Sequence, residues 1–413
     1  MTEEGDEAVR AAEEAARHSY GKLVAFLAAR AGDVAAAEDA LSDAFAVALA
    51  EWPKCGVPTN PEAWLMTVAR RRLIDGVRRR RTRAEAAPHL RMLAEELADM
   101  AAEREIPDER LALMFACAHP ALDPGIRAPL ILQTVLGFDA AAIASAFLIS
   151  PATMAQRLVR AKHKIRQAGI PFRVPECHEL PERLGAVLEA IYAAYAEGWS
   201  DPAGTESRRR NLAAEAIWLG RLVAALLPNE PEALGLVALM LHAEARRGAR
   251  RNSEGDYVPL AEQDSARWDA VAIDEAEALL SRASRLNSIG RYQLEAAVQS
   301  AHAARRLAGC VDWAAVERLY EALWAMTKSP VVAVNRAIAV AETQGAAEGL
   351  ATLAALEDDP RLADYQPYWA ARAALVARIG DMEEADKAFE RAIGLERDPA
   401  VRRFLQQRRA QLK

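Results

Sequence analysis

Apolar residues recur along most of this chain at the three-and-four spacing of an α-helix, and alternating β-branched runs are almost absent. The pattern predicts an all-α protein. From Ala37 to Trp52, the residues Leu41, Ala44, Phe45, Ala48, Leu49 and Trp52 fall on one helical face, and Pro53 is expected to stop the helix. Glu38, Asp39 and Asp43 fall elsewhere on its first two turns, where acids suit the helix dipole. Asn60 then reads as an N-cap, with Pro61 at the first helical position and Glu62 behind it. Trp64, Leu65, Val68 and Ala69 begin an apolar face, while Thr67, Arg71 and Arg78 share another side.

A second pattern begins with a helix over Phe138–Phe147, whose inward residues are Ile143, Ala144 and Phe147. Leu148 and Ile149 form a short turn, and Ser150 caps a further helix opened by Pro151. Met154, Leu158, Ala161 and Ile165 form its seam, which leaves Thr153, Gln156, Arg157 and Arg160 outward near the N-terminal end. This is a helix–turn–helix spacing, and the outward set suits a major groove, arginine matching guanine and glutamine matching adenine.

Three blocks emerge. The first ends in an arginine cluster at Arg83, and a segment over 84–107 rich in acid (Glu85, Glu95, Glu96, Asp99, Glu103, Glu105) follows it. The second runs over 108–170 and closes on Gly169, Pro171 and Pro175, a linker signature. The third, 180–413, carries weak internal repeats. Ala385, Phe389, Ala392 and Ile393, between Gly380 and Pro399, match the second helix of a tetratricopeptide repeat. Related positions recur at Gly349/Leu353/Leu356, Val316/Tyr320/Leu323 and Ala276/Leu280/Ala283. Stacked helical pairs of this kind form a concave surface for a peptide or a protein domain.

Charge sharpens this division. The net charge is −7, yet the first 175 residues are balanced, so the whole excess of acid lies beyond them. Within the balanced part, Arg70, Arg71, Arg72, Arg78, Arg79, Arg80, Arg81 and Arg83 oppose only Asp75. Arg157, Arg160, Lys162, Lys164, Arg166 and Arg173 oppose no acid between Ser150 and Val174. Each stripe is either a docking surface for phosphate or a solvated helix face. The acidic N-terminus lacks the apolar core of a signal peptide, no apolar run is long enough for a bilayer, and the four cysteines are widely spaced. A reduced, cytoplasmic protein without a membrane partner is the expectation.

Ala37–Leu49 (AEDALSDAFAVAL), Asn60–Arg80 (NPEAWLMTVARRRLIDGVRRR) and Ser150–Arg166 (SPATMAQRLVRAKHKIR) together resemble a bacterial sigma factor of the extracytoplasmic-function type, in the sigma-70 family. The third block resembles the tetratricopeptide-like extension of one subgroup, through segments such as ALGLVALMLHAEARR and SPVVAVNRAIAVA. Two departures are Ser42-Asp43 where Gln-Glu is common and Arg71 where asparagine is frequent.

The resemblance implies two small helical sigma domains joined by a linker: region 2 over 8–83 and region 4, with the helix–turn–helix, over 108–170. It implies core RNA polymerase and promoter DNA as partners. Glu38, Asp39 and Asp43 would face the β′ clamp helices, and the polymerase β flap would be a further contact. Asn60, Trp64, Arg70, Arg71, Arg78 and Arg79 would serve the minus-ten element, although Trp52 and Trp64 on their apolar faces also read as core. Thr153, Gln156, Arg157, Arg160 and Lys164 would serve the minus-thirty-five element. The acidic linker would either imitate RNA in the polymerase cleft or act as a solvated tether. The third block would either contact the first two, or a regulatory protein, or stand as a separate module.

Enzyme chemistry finds no support. The chain has no phosphate-cradling glycine loop, dinucleotide fingerprint or GxSxG elbow. His178–Glu182 (HELPE) contains Pro181 and lacks a second histidine, and Cys117/His119 and Cys177/His178 are two-ligand fragments, so no metal and no cofactor is expected. The competing reading is a helix–turn–helix DNA-binding regulator with a tetratricopeptide sensor that is not a polymerase subunit. The first block discriminates, because a simple regulator has no need of it.

Overall fold

The computed structural model describes residues 3–80, 109–147, 149–199 and 207–412. The acidic segment over 84–107 and Leu148 in the helix–turn–helix turn lie outside them. Every regular element among the described residues is helical, and the one extended pairing is an isolated antiparallel bridge between Arg251 and Tyr257. The chain divides into two compact units, the first over 1–198 with 211–219 and the second over 199–210 with 220–413.

The first unit opens with α1 (Glu3–Ala31), α2 (Val34–Cys55) and α3 (Pro61–Arg80), which pack pairwise on one another. Their shared core holds Leu23, Val24 and Leu27 from α1, Leu41, Ala44, Ala48 and Trp52 from α2, and Leu65 and Ala69 from α3. Gly32 takes a left-handed φ of 63°, and Asp33 then caps α2 by accepting the Ala36 N–H at 3.1 Å. That cap starts the helix three residues before the sequence pattern does.

Pro53 does not stop α2. A proline in the last turn removes only its own N–H, so the helix runs on to Cys55 and ends at Gly56, whose N–H reaches Trp52 O at 3.0 Å. Leu49, expected inside, is 47% exposed.

Four further helices follow: α4 (Arg110–Cys117), α5 (Pro124–Thr134), α6 (Ala140–Ala146) and α7 (Pro151–Ala168). α5 touches α4, α6 and α7, and these are not isolated from the first three: α1 packs on α4 and α5, and α2 packs on α7. α6 is shorter than the pattern predicts because the Asp139 carboxylate accepts the Ala142 N–H at 2.7 Å and so fixes a later start. Phe147 is only half-buried. α7 keeps its expected form, with Ser150 Oγ accepting the Thr153 N–H at 3.2 Å and Gly169 closing it at φ 60°.

The stretch after Gly169 folds rather than dangling. Ile170, Pro175 and Leu180 are buried, Arg173 pairs with Glu179 at 2.8 Å, and Arg127 donates to the Glu182 carbonyl at 3.1 Å. α8 (Pro181–Trp199) therefore belongs almost wholly to the first unit, as does the middle of α9 (Ser207–Leu226).

The second unit is built around α10 (Pro231–Glu244), which is apolar on nearly all sides and accordingly buried. α11 (Ala270–Arg285) and α12 (Arg291–Ala303) cover it. Gly235 lets α12 approach closely, since a Cβ there would meet Gln293 N at 2.7 Å. The Glu232 carboxylate accepts the Tyr292 and Gln293 N–H groups, each at 3.1 Å. A short α13 (Arg305–Ala308) leads to α14 (Trp313–Thr327), α15 (Pro330–Thr343), α16 (Ala346–Ala354), α17 (Gln366–Ile379), α18 (Met382–Leu395) and α19 (Pro399–Ala410), which pack in succession. Ala385, Phe389 and Ala392 are buried between α17 and α19, and Gly349 nests on Ala341 and the Ala337 carbonyl. Val316, Leu323, Leu353, Ala276 and Ala283 are buried as well.

Candidate nucleic-acid interface

α7 separates its two faces cleanly. Met154, Leu158, Ala161 and Ile165 are buried, while Thr153, Gln156, Arg157, Arg160 and Lys164 are all exposed. The side chains that suit base edges therefore project from a capped helix start, where the dipole also favours phosphate.

On α3, Asn60 Oδ1 caps the helix by accepting the Ala63 N–H at 3.0 Å, and Thr67 Oγ1 donates to the Ala63 carbonyl at 2.8 Å. Arg71 and Arg72 are exposed and Arg70 is half-buried. Burial, with Arg71 alongside, lowers the pKa of Arg70 from its ordinary value, which marks a crowded cationic strip. Arg78 and Arg79 continue α3, but their side chains lie outside the described residues. Trp64 is half-buried and packs edge-on against the buried Trp52. Trp52 belongs to the core, and Trp64 presents part of its ring to solvent.

The acids of α2 do not share one environment. Asp39 and Asp43 are exposed, Asp43 lying 4.0 Å from Arg72. Glu38 is different: its side chain is 15% exposed and pairs with Lys162 of α7. Burial raises the Glu38 carboxyl above the usual range, with Lys162 opposing the shift. Tyr20, half-buried beside Glu38 and Asp39, is also pushed upward, by loss of solvent first and those two carboxylates after it. Asp33 takes a second α7 cation, Arg166 Nη1, at 3.2 Å. The basic stripe of α7 is thus divided, with its first turns free toward solvent and Lys162 and Arg166 turned to α2. Sequence reading had no signal for this, because each pair joins residues more than a hundred positions apart.

Among the described residues no group of three or more His, Cys, Asp and Glu could hold a metal ion, and no helix is long and apolar enough to cross a membrane. Cys117 is buried against Thr134 at 3.5 Å, and burial pushes its thiol up to about 12, which suits a core residue rather than a ligand.

Residues 16–83 match the family described as sigma-70 region 2. Residues 183–284, which span both compact units, match a family of unknown function, DUF6596. The chain is 40% identical over 365 residues to an uncharacterized protein of Rhizobium meliloti (strain 1021), covering 87% of this chain and 86% of that one. No solved structure matches it. The chain belongs to one family with that Rhizobium protein, and its N-terminal block makes it a sigma factor of the sigma-70 family, which joins core RNA polymerase to promoter DNA at the start of transcription.

Proposed function

We propose that the protein is a sigma factor of the extracytoplasmic-function type in which α4–α7 form region 4 and α7 reads the minus-thirty-five duplex. The observation that carries this reading is the exposure of Thr153, Gln156, Arg157, Arg160 and Lys164 on a capped helix whose opposite face is a buried apolar seam. Region 2 would dock on the β′ clamp helices through the acids of α2. It would hold the unpaired minus-ten strand with Asn60, Trp64 and the α3 arginines, which track backbone charge while an exposed ring edge meets a base. The site of action is then the cytoplasm, where the polymerase works.

The C-terminal helices would form a tetratricopeptide-like regulatory array. The buried small residues Ala385 and Ala392, the Phe389 plug and the Gly349–Ala341 contact support this part. Run-off transcription with core polymerase tests the whole reading. A promoter-specific transcript that needs this protein is the expected result. Duplex binding without any transcript would instead indicate a simple regulator.

A further inference from the structure

One apolar side chain stands on the polar face of α7. Val159 is 68% exposed, the most exposed large apolar residue of the first unit among the described residues. A single exposed valine is ordinary on a protein surface. What distinguishes Val159 is its setting. At about 100° per residue, Gln156 and His163 lie opposite the seam of Met154, Leu158, Ala161 and Ile165, and Val159 stands between them along the helix. All three are exposed, as is Arg160 beside them. Thr153, Arg157 and Lys164 line one flank of that strip, and no acid occurs between Ser150 and Val174. The centre of the outward face therefore pairs a carboxamide with a rigid apolar group inside a field of positive charge.

We propose that Val159 selects thymine, its γ-methyls packing on the C5-methyl of one thymine of the minus-thirty-five duplex beside the base that Gln156 meets. This deepens, and rests on, the reading of α7 as the helix that enters that duplex. The C5-methyl of thymine is the one methyl group that a base pair presents in the major groove. A β-branched side chain in a helix holds essentially one rotamer, so Val159 meets that methyl already ordered. Gln156 and Val159 are three residues apart, about 4.5 Å along the helix axis. Successive base pairs are spaced by about 3.4 Å, so the two side chains serve the same pair or adjacent pairs. The surroundings favour DNA over a protein as the partner. Arg157, Arg160 and Lys164 flank the valine with cations that suit the phosphates bordering a groove, and those contacts fix the register that a methyl contact needs. Cytosine at the selected position would leave the valine facing a base edge without a methyl.

The test uses holoenzyme assembled from the full-length chain and core polymerase. Duplexes with a randomised minus-thirty-five region are selected for binding. Each thymine of the preferred sequence is then replaced by deoxyuridine, which removes the C5-methyl and no hydrogen-bonding group. One such replacement is expected to weaken wild-type binding by about three- to fivefold, the worth of one buried methyl. In Val159→Ala the same replacement should cost less than about twofold, because the γ-methyls that met the base are gone. Val159→Ile keeps the branch and should keep the full effect. A preferred sequence with no methyl-dependent thymine in the wild type overturns the proposal, and that result needs no variant. So does an undiminished deoxyuridine effect in Val159→Ala. If Val159→Ala weakens binding to every duplex alike and lowers affinity for core polymerase with it, the valine serves a protein contact and the proposal falls. Failure of the underlying reading looks different. A holoenzyme that selects no sequence in that region removes α7 as the reader of the duplex, whereas a selected sequence without methyl dependence removes only the role of Val159.

Discussion

Trp64 meets Trp52 edge to face, with ring centroids 5.4 Å apart and planes at 66°. One ring closes the core of α1–α3, and the other leans on it with part of its surface open. This joint divides the two tryptophans by role. Trp52→Ala should destabilise the first unit by about 3–5 kcal/mol, the usual range for emptying a buried aromatic site. Trp64→Ala should cost less stability, because less of that ring is buried. Thermal melts compare the two directly, and permanganate footprinting of the minus-ten strand shows whether Trp64→Ala also impairs opening.

Arg157 and Arg160 are exposed on the first turns of α7, so alanine at either position should change the melting curve little. Promoter binding by the holoenzyme should weaken by about 1–3 kcal/mol for each arginine that meets a base edge bidentately. Gel-shift titrations with matched and mutated minus-thirty-five sequences check this. Equal losses on both sequences would make the contact a phosphate contact.

Reversing Asp39 or Asp43 to lysine should slow association with core polymerase at low salt and leave the fold intact, since both lie exposed on α2. The deficit should shrink as salt rises, because such charges are screened over about a nanometre at physiological ionic strength. Stopped-flow association rates across a salt series are the measurement. Asp43 also stands 4.0 Å from Arg72, so its reversal adds a small like-charge penalty that Asp39 escapes.

A side chain at Gly235 has nowhere to go. Its Cβ would meet Gln293 N at 2.7 Å and Gln293 Cα at 2.9 Å, and backbone cannot rotate away as a side chain can. Gly235→Leu should therefore destabilise the second unit by about 1–3 kcal/mol or more. Gly185→Ala makes the control, because nothing lies within 4 Å of that position and a glycine inside a helix gains from the change. Denaturant melts of the two variants should move in opposite directions.

Two histidines, His242 buried and His302 half-buried, predict an acid-sensitive second unit. Burial, with Arg246 nearby, lowers His242 and His302 from 6.5 to about 4. His242 Nε2 lies 3.4 Å from Glu277, but no aligned hydrogen bond forms, so burial decides its charge. Between pH 6.5 and 4 the unfolded chain binds protons that the folded chain refuses. Stability is then full above 6.5 and falls toward pH 4, by on the order of 3 kcal/mol for the 1%-exposed His242. His242→Leu should flatten that limb, as read from melting temperatures across the pH range.

Local signals carried the reading of the elements well. Ser150, Pro151 and the spacing of Met154, Leu158, Ala161 and Ile165 locate α7 and the direction of its exposed side chains, because a cap and a seam are both short-range properties. Asn60 and Pro61 do the same for α3. What the sequence concealed was long-range. Glu38 looks like any first-turn acid until Lys162 is brought beside it, and Leu49 follows the apolar spacing yet finds no neighbour. Pro53 misleads because a proline's effect depends on which turn it occupies. The folded course of 170–180 depends on Arg127 and Glu179, which no count of glycine and proline can reveal.

α19 returns to the loop that joins α10 to α11 in its own unit. Arg251 pairs with Asp398, Arg403 reaches Asp256 at 2.9 Å, Arg408 reaches Glu262 at 2.7 Å, and Tyr257 packs edge-on against Phe404 at 5.4 Å. An open stack of helices can fray inward from either end, losing one neighbour at a time. With α19 fastened to that loop, fraying from its side must break contacts spanning some 147 residues. During synthesis the loop over 251–262 waits, its partners absent, until α19 has emerged. α19 is then a clasp on that loop, and removing its contacts through Arg403→Ala/Arg408→Ala should loosen the distant loop along with the helix.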